Sequence, residues 1–410
     1  MNRPRLLSLL GTLVLLLSLL PLSALAQPAE QGFLSKVEPL VLQELDAKGR
    51  TDFCLWLTEQ ADVSAASRIP DRLARRTYVY NTLRATAERT QASLRRYLDA
   101  RGVLYRPYYI VNAILVQGGD YGLLTSLAQR PEVARITADH RFPAIDPNEA
   151  RNAAPAARPN AVEPNISFIK ADQVWAMGYT GQNTVLAGND TGLDEDHPAI
   201  ARHYRGCLNP PTCSSKDHNY NWWDATGLYP TDPWDGHGHG THTTGTMVGD
   251  DGGTNQIGVA PGAQTIHCKN MDDGGYGQDS WFLTCFEWDL APWDLNHQNP
   301  DPAKAPDAVN NSWGYWGGNY DAFRTAIDNL LQASTAAGKP SLREVLLQIP
   351  NWPESLLPAP GDEPVPAAAA AAASPGTPGR GQGVKRPASD ALEGRPAKRL
   401  RTEAGGPGKG

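Results

Sequence analysis

The stretch Asp235-Gly-His-Gly-His-Gly-Thr-His-Thr-Thr-Gly-Thr-Met-Val-Gly249 sets three histidines, His237, His239 and His242, within six residues. Such a cluster can ligate a metal, with Asp235 as a further ligand, or one ring can serve as a base. The spacing fits neither the helical His-x-x-x-His zinc pattern nor a zinc finger, so no metal is assigned. The other reading makes His239 the base. It opens a helix of small residues, in which Gly240 and Gly245 are expected to allow close approach to neighbours, and His242 is expected to be structural. A base of this kind needs a carboxylate to hold its tautomer and stabilise the imidazolium. Asn189-Asp-Thr-Gly-Leu-Asp-Glu-Asp-His-Pro198 supplies one. Asp190 ends an apolar run and precedes a Thr-Gly turn, and function in doubly wound sheets gathers at the carboxyl ends of strands.

The surrounding sequence alternates in the same sense. Asn183–Asn189 reads as a strand and Gly258–Ala263 as a turn. Thr265–Lys269 reads as a strand, Ser280–Leu290 as a helix, Asp307–Ser312 as a buried strand and Tyr320–Ala337 as a helix. Strands alternating with helices predict a parallel sheet covered on both faces. Residues 27–145 differ. Thr51–Thr58 alternates like a strand, and Arg72–Leu98 carries a long helical pattern. Val103–Gln117 holds two strand-like runs split near Arg106-Pro107 and Asn112. Tyr121–Gln129 reads as a helix and Val133–Thr137 as a strand. That β-α-β-β-α-β order predicts a ferredoxin-like α+β unit. Residues 146–165, rich in Ala, Pro and Asn, read as an exposed linker open to processing.

Four motifs now stand in order: DTGLDEDHP, HGTHTTGT, IGVAPGA and NNSWG. Together they resemble the subtilisin-like serine proteases. Glu287-Trp288 through Gly314 looks closest to the bacillopeptidase F-like branch. The resemblance covers about 166–338 and implies a doubly wound α/β domain preceded by an inhibitor-type propeptide. It places Asp190 on the triad aspartate and His239 on the general base. Ser312, Trp313 and Gly314 fall on the strand that pairs with extended substrate. The family's nucleophile lies in Gly-Thr-Ser-Met-Ala, and no Gly-Thr-Ser occurs in these 410 residues. Its oxyanion asparagine follows Ala-Gly, and the one Ala-Gly-Asn here, Ala187–Asn189, precedes Asp190 and reads as a strand end. The resemblance therefore implies a partial sheet lacking its C-terminal part and a chain without normal triad catalysis. Two non-catalytic readings follow: a pseudoprotease or protease inhibitor, and a nuclear fusion protein.

Composition bounds the compartment. Arg3 and Arg5, the apolar run Leu6–Leu20 and Ala24-Leu25-Ala26 read as a secretory signal peptide over 1–26, against the alternative of an uncleaved anchor. Disulfides are then allowed, and Cys207 with Cys213 and Cys268 with Cys285 are the candidate pairs, with Cys54 left over. Residues 166–338 carry 7 Lys/Arg against 21 Asp/Glu, whereas 27–150 carry 16 against 15, an asymmetry that allows electrostatic docking of the two. The Asp-rich loops 194–196 and 272–273 are chemically suited to calcium. Residues 339–410 hold 12 Pro, 12 Ala and 10 Gly with one aromatic, too little to bury a core, so a disordered tail is expected. Lys385-Arg386 and Lys398-Arg399-Leu400-Arg401 resemble a bipartite nuclear import signal, which the signal peptide contradicts. No aromatics interleave these basic residues, so no nucleic-acid partner is expected. The expected partners are protein substrates and the chain's own propeptide.

Overall fold

A computed structural model describes residues 32, 34–144, 162–253, 255–314 and 321–334. The signal-like segment, most of the linker and the tail after Ser334 lie outside the described residues.

Helix α1 (Pro39–Lys48) starts with proline, whose missing N–H costs nothing there, and stops at Gly49 in the left-handed region, φ 74°. Strand β1 is Thr51–Leu57. Helix α2 (Arg72–Asp99) is capped by the Asp71 carboxylate, which accepts from the Ala74 N–H at 2.7 Å. Strands β2 (Tyr105–Tyr108) and β3 (Ala113–Gly119), helix α3 (Tyr121–Ala128) and strand β4 (Val133–Ala138) complete the series. The sheet runs β2-β3-β1-β4 with antiparallel pairs. Pro107 sits inside β2 instead of splitting it. This strand is an edge, where a missing donor is tolerated.

Strand β5 (Arg141–Pro143) leaves this sheet and joins the second part of the chain. That part contains α4 (Pro164–Phe168), α5 (Ala171–Ala176), β6 (Val185–Asp190) and β7 (Trp222–Asp224). It continues with α6 (His239–Val248), β8 (Gln264–Lys269), β9 (Tyr276–Gln278) and α7 (Asp279–Leu290), then β10 (Ala308–Asn310) and α8 (Asp321–Ser334). The order β10-β6-β8-β7 is parallel throughout. One face buries Ala187, Ile266 and Cys268 against Cys285 and Trp288 of α7. On the other face Gly188 lies against His267 and Thr244 of α6, too close for any side chain. Helices thus cover both faces, as alternation predicted.

Three expectations need correction. Asp307–Ser312 is not a buried strand. β10 is three residues long and partly exposed, because it is the sheet edge among the described residues. Gly245 faces open space, so only Gly240 serves close approach. The linker is shorter than 146–165: the Glu163 N–H donates to the Gln256 carbonyl at 3.1 Å, and α4 begins at Pro164.

Cys268 of β8 is bonded to Cys285 of α7, Cα–Cα 5.7 Å, and Cys207 to Cys213, Cα–Cα 5.0 Å. Cys54 is free and buried in β1. Closing the loop between Cys268 and Cys285, 17 positions apart, contributes ~3 kcal/mol in the chain-entropy account. Replacing Cys268 and Cys285 by alanine should lower the melting temperature by several degrees, read by thermal denaturation with the other bridge intact. An unchanged melting temperature would contradict the closure argument.

The largest buried cluster is shared. Tyr80, Leu83 and Tyr108 come from the N-terminal part, and Phe282, Phe286 and Phe323 from the C-terminal part. Opposite charges cross the same boundary: Arg72 and Arg76 meet Asp307, and Arg141 meets Asp272. Among the described residues no helix is long and apolar enough to cross a membrane.

Candidate active site

Asp190 ends β6 and is fully buried, and His239 opens α6 with its ring partly exposed. The two meet at 2.7 Å between His239 Nδ1 and Asp190 Oδ1. A carboxylate buried in the protein must be hydrogen-bonded to remain charged. Asp190 Oδ1 also accepts the Thr191 N–H at 2.7 Å, and Oδ2 accepts the Thr243 hydroxyl at 3.1 Å. β6 and α6 can approach this closely because Gly240 lies against the Gly192 carbonyl and Gly192, φ 134°, lies against the Trp234 carbonyl.

The helix opens on Gly238, which has no side chain to cap it. Asp235 does so from a distance. Its carboxylate accepts the Gly238 N–H at 2.8 Å, the Thr241 N–H at 2.8 Å and the Thr241 hydroxyl at 2.7 Å. It also accepts the Thr191 hydroxyl at 2.8 Å, while that hydroxyl takes the Gly240 N–H at 2.9 Å. Burial pushes the Asp235 carboxyl up, but these donors, Thr241 foremost, hold it below the usual range. Behind it, the buried Lys269 ammonium donates to the Thr191 carbonyl and to Asp273. Asp235, Thr191, Thr243 and Lys269 therefore position the pair. The sequence reading considered Asp235 only as a metal ligand. The signal it missed was an acidic residue just ahead of a helix with no cap of its own.

His237 and His242 are exposed, so His242 has no structural role in the core. The acidic loops are engaged by the chain itself. Lys216 pairs with Glu195 and Asp196, Arg141 with Asp272, and Lys269 with Asp273. The calcium expectation finds no convergent oxygen set in these loops.

An extended segment of the N-terminal part pairs with the C-terminal part. β5 pairs antiparallel with β9, Phe142 opposite Gly277. The Ala144 N–H donates to the Gly275 carbonyl at 3.0 Å, and the Ala144 carbonyl accepts the Gly314 N–H at 3.0 Å. Of the three expected strand residues, Gly314 makes this contact. Trp313 stacks near Phe282, centroids 4.1 Å apart, and its indole N–H donates to the Asn189 carbonyl at 3.1 Å. Ser312 bonds only to the Asn310 side chain among its described hydrogen bonds. Phe142 is buried against Phe282.

The segment just before β5 is tied by ionisable groups. His140 joins Asp279 at 2.7 Å and Glu38 at 2.8 Å. Asp279 chiefly, against burial and with help from Glu38, raises this imidazole to about 9. Asp139 accepts the Ser280 N–H at 2.8 Å, and burial raises it to about 6. Glu287 of α7 accepts the N–H groups of Tyr109 and Ile110, the latter at 3.3 Å, and burial raises it to about 7. None of these was legible as a pair in the sequence.

A buried strand-end aspartate bonded to a helix-start histidine is an arrangement in which the carboxylate can fix the imidazole's tautomer and orientation. Residues 181–349 match the profile of peptidase S8, the subtilase family. Bacillopeptidase F of Bacillus subtilis (strain 168) is 33% identical over 382 residues, covering 83% of this chain and 26% of that protein. Subtilisin E of the same strain is 33% identical over 129 residues, 31% of this chain and 29% of that one. Among solved structures, fervidolysin from Fervidobacterium pennivorans, described as a keratinolytic enzyme related to subtilisin, aligns with TM-score 0.39 and 16% identity over 70% of this chain and 39% of its own. Residues 181–349 are thus a subtilase-family segment of the chain. The chain spans about a quarter of the length of Bacillopeptidase F.

Proposed function

We propose that the chain is an exported subtilisin-like serine endopeptidase precursor. Asp190 and His239 are its triad acid and base, and Ser312–Gly314 is one wall of its substrate cleft. The observation that carries this reading is the 2.7 Å pair between Asp190 at the end of β6 and His239 at the start of α6. Residues 27–145 act as a propeptide of ferredoxin-like type, and 141–144 occupy the cleft as a substrate would. Processing falls within 143–165. Two disulfides support an oxidising destination.

In the active form the Asp190 carboxylate fixes the His239 tautomer, and the ring accepts the proton of an attacking hydroxyl. Residues 1–410 hold no serine in the family's Gly-Thr-Ser context, so the chain on its own is proposed inactive. Incubated with a peptide substrate it should show no turnover. Turnover abolished by His239→Ala would overturn that. Joining the remaining catalytic segment of Bacillopeptidase F after Gly338 should restore hydrolysis, and Asp190→Asn should then cut it by about 10⁴-fold. A folded but silent hybrid would sink the protease assignment.

The occupied cleft and the missing serine context also favour a second reading, a protease-binding inhibitor. Residues 27–145 supplied to a related protease should then inhibit it. No inhibition at high micromolar concentration would reject this.

A further inference from the structure

The cleft segment is not the only place where the N-terminal part grips the sheet. Helix α2 carries Arg72, Arg75 and Arg76 on its first turns, and Arg75 and Arg76 are buried. Burying a guanidinium is costly unless its donors are answered. Arg75 Nη1 donates within its own part, to the Ile69 carbonyl at 2.8 Å and the Pro70 carbonyl at 3.3 Å, and the remaining donors named below are answered by the other part. Arg76 donates to the Ala305 carbonyl at 3.1 Å and to the Pro306 carbonyl, and lies 3.6 Å from Asp307. Arg72 pairs with the same Asp307 carboxylate. Arg75 Nε donates to the Ala333 carbonyl at the end of α8, at 3.2 Å.

Asp307 is the residue just ahead of β10, and it fixes the strand to β6. Its N–H donates to the Val185 carbonyl at 2.7 Å, and its carboxylate accepts the Val185 N–H at 2.9 Å. β10 itself pairs with β6 over only three residues, Ala308–Leu186 to Asn310–Gly188, and forms the edge among the described residues. A short edge strand has little of its own to hold its register.

We propose that Arg72, Arg75 and Arg76 form a clamp by which the N-terminal part holds the edge strand β10 and the end of α8 in place. This surface fits a partner that presents consecutive unpaired carbonyls and one acidic residue at the start of an edge strand. It is separate from the cleft: the clamp grips β10 from its start, and Ala144 meets Gly314 beyond its end. A planar fork that satisfies two carbonyls and a carboxylate at once is what arginine supplies and lysine does not. The proposal does not depend on the chain being a protease.

The test is hydrogen exchange on the full chain carrying Arg72→Gln and Arg76→Gln. Amides of Asp307–Asn310 should lose at least tenfold of their protection, while Leu55 in β1 and Ile266 in β8 keep theirs. Unchanged protection at Asp307–Asn310 overturns the clamp. Equal loss at Leu55 and Ile266 also overturns it, because the effect would then be global. Should the double variant not fold, Arg76→Lys keeps the charge without the fork. It should give a smaller loss confined to the same four amides, and no loss there overturns the proposal.

Discussion

Replacing Phe282 by alanine should lower the melting temperature of the full chain by roughly 10 °C, since truncating a buried phenylalanine costs about 3–5 kcal/mol. Phe282 is fully buried, and three aromatic rings converge on its own. Phe142 stacks on it at 5.5 Å, Trp313 lies 4.1 Å away, and Phe323 of α8 meets it edge-on at 5.4 Å. The gap cannot collapse cheaply, because Phe142 and Trp313 belong to strand segments held by backbone hydrogen bonds and not by side chains alone. The loss should also loosen residues 141–144. Limited proteolysis would report this as faster cutting at Arg141. Slower or unchanged cutting, with a melting temperature within two or three degrees of the parent, would show that the aromatic cluster does not hold the segment.

The second large effect is on pH. Burial raises Glu287 to about 7 and Asp139 to about 6. A carboxyl raised in the folded state contributes stability that is full below its unfolded value and is lost as pH climbs through the folded one. His140, raised to about 9 chiefly by Asp279, contributes stability that is full below about 6.5 and is lost as pH passes 9. All three groups lie at the boundary between the two parts, and all three losses run in the same direction. Attachment of the N-terminal part should therefore be strongest near pH 4 and weaken by a few kcal/mol by pH 9. Below pH 4 the trend reverses, since carboxylates held low by their donors, such as Asp235 and Asp272, become protonated. Thermal melts from pH 4 to 9 would measure this. Glu287→Gln keeps an acceptor for the Tyr109 and Ile110 N–H groups without a charge to bury. Its melts should fall less steeply between pH 5 and 8. A slope identical to the parent would remove Glu287 from the account.

Local pattern carried much of the fold. Thr51–Leu57, Tyr121–Ala128 and Asp279–Leu290 announce themselves by period, and Asp190 and His239 by the turn and helix start that hold them. Helix α1 was missed because it buries only Val41 and Leu45, too few to print a stripe on ten residues. β5 and β9 were missed for a different reason. Each is three residues long and exists only through the other, more than 130 positions away. The buried charges follow the same logic: Arg76 reads as a surface residue until Ala305, Pro306 and Asp307 arrive to answer it. Pairing chemistry of this range leaves no period in a sequence.

The strand of residues 141–143 lies between β9 and Gly314 while still joined through 145–161 to the domain that receives it. On the reading proposed above, its occupancy is set by tethering as well as by these contacts. Linked ends keep each other at an effective concentration on the order of millimolar. An outside peptide with similar contacts would need to exceed that level to displace the segment. A cut within the expected linker would leave every contact of residues 141–144 in place, and the N-terminal part would from then on be retained only by its own contacts, against dilution.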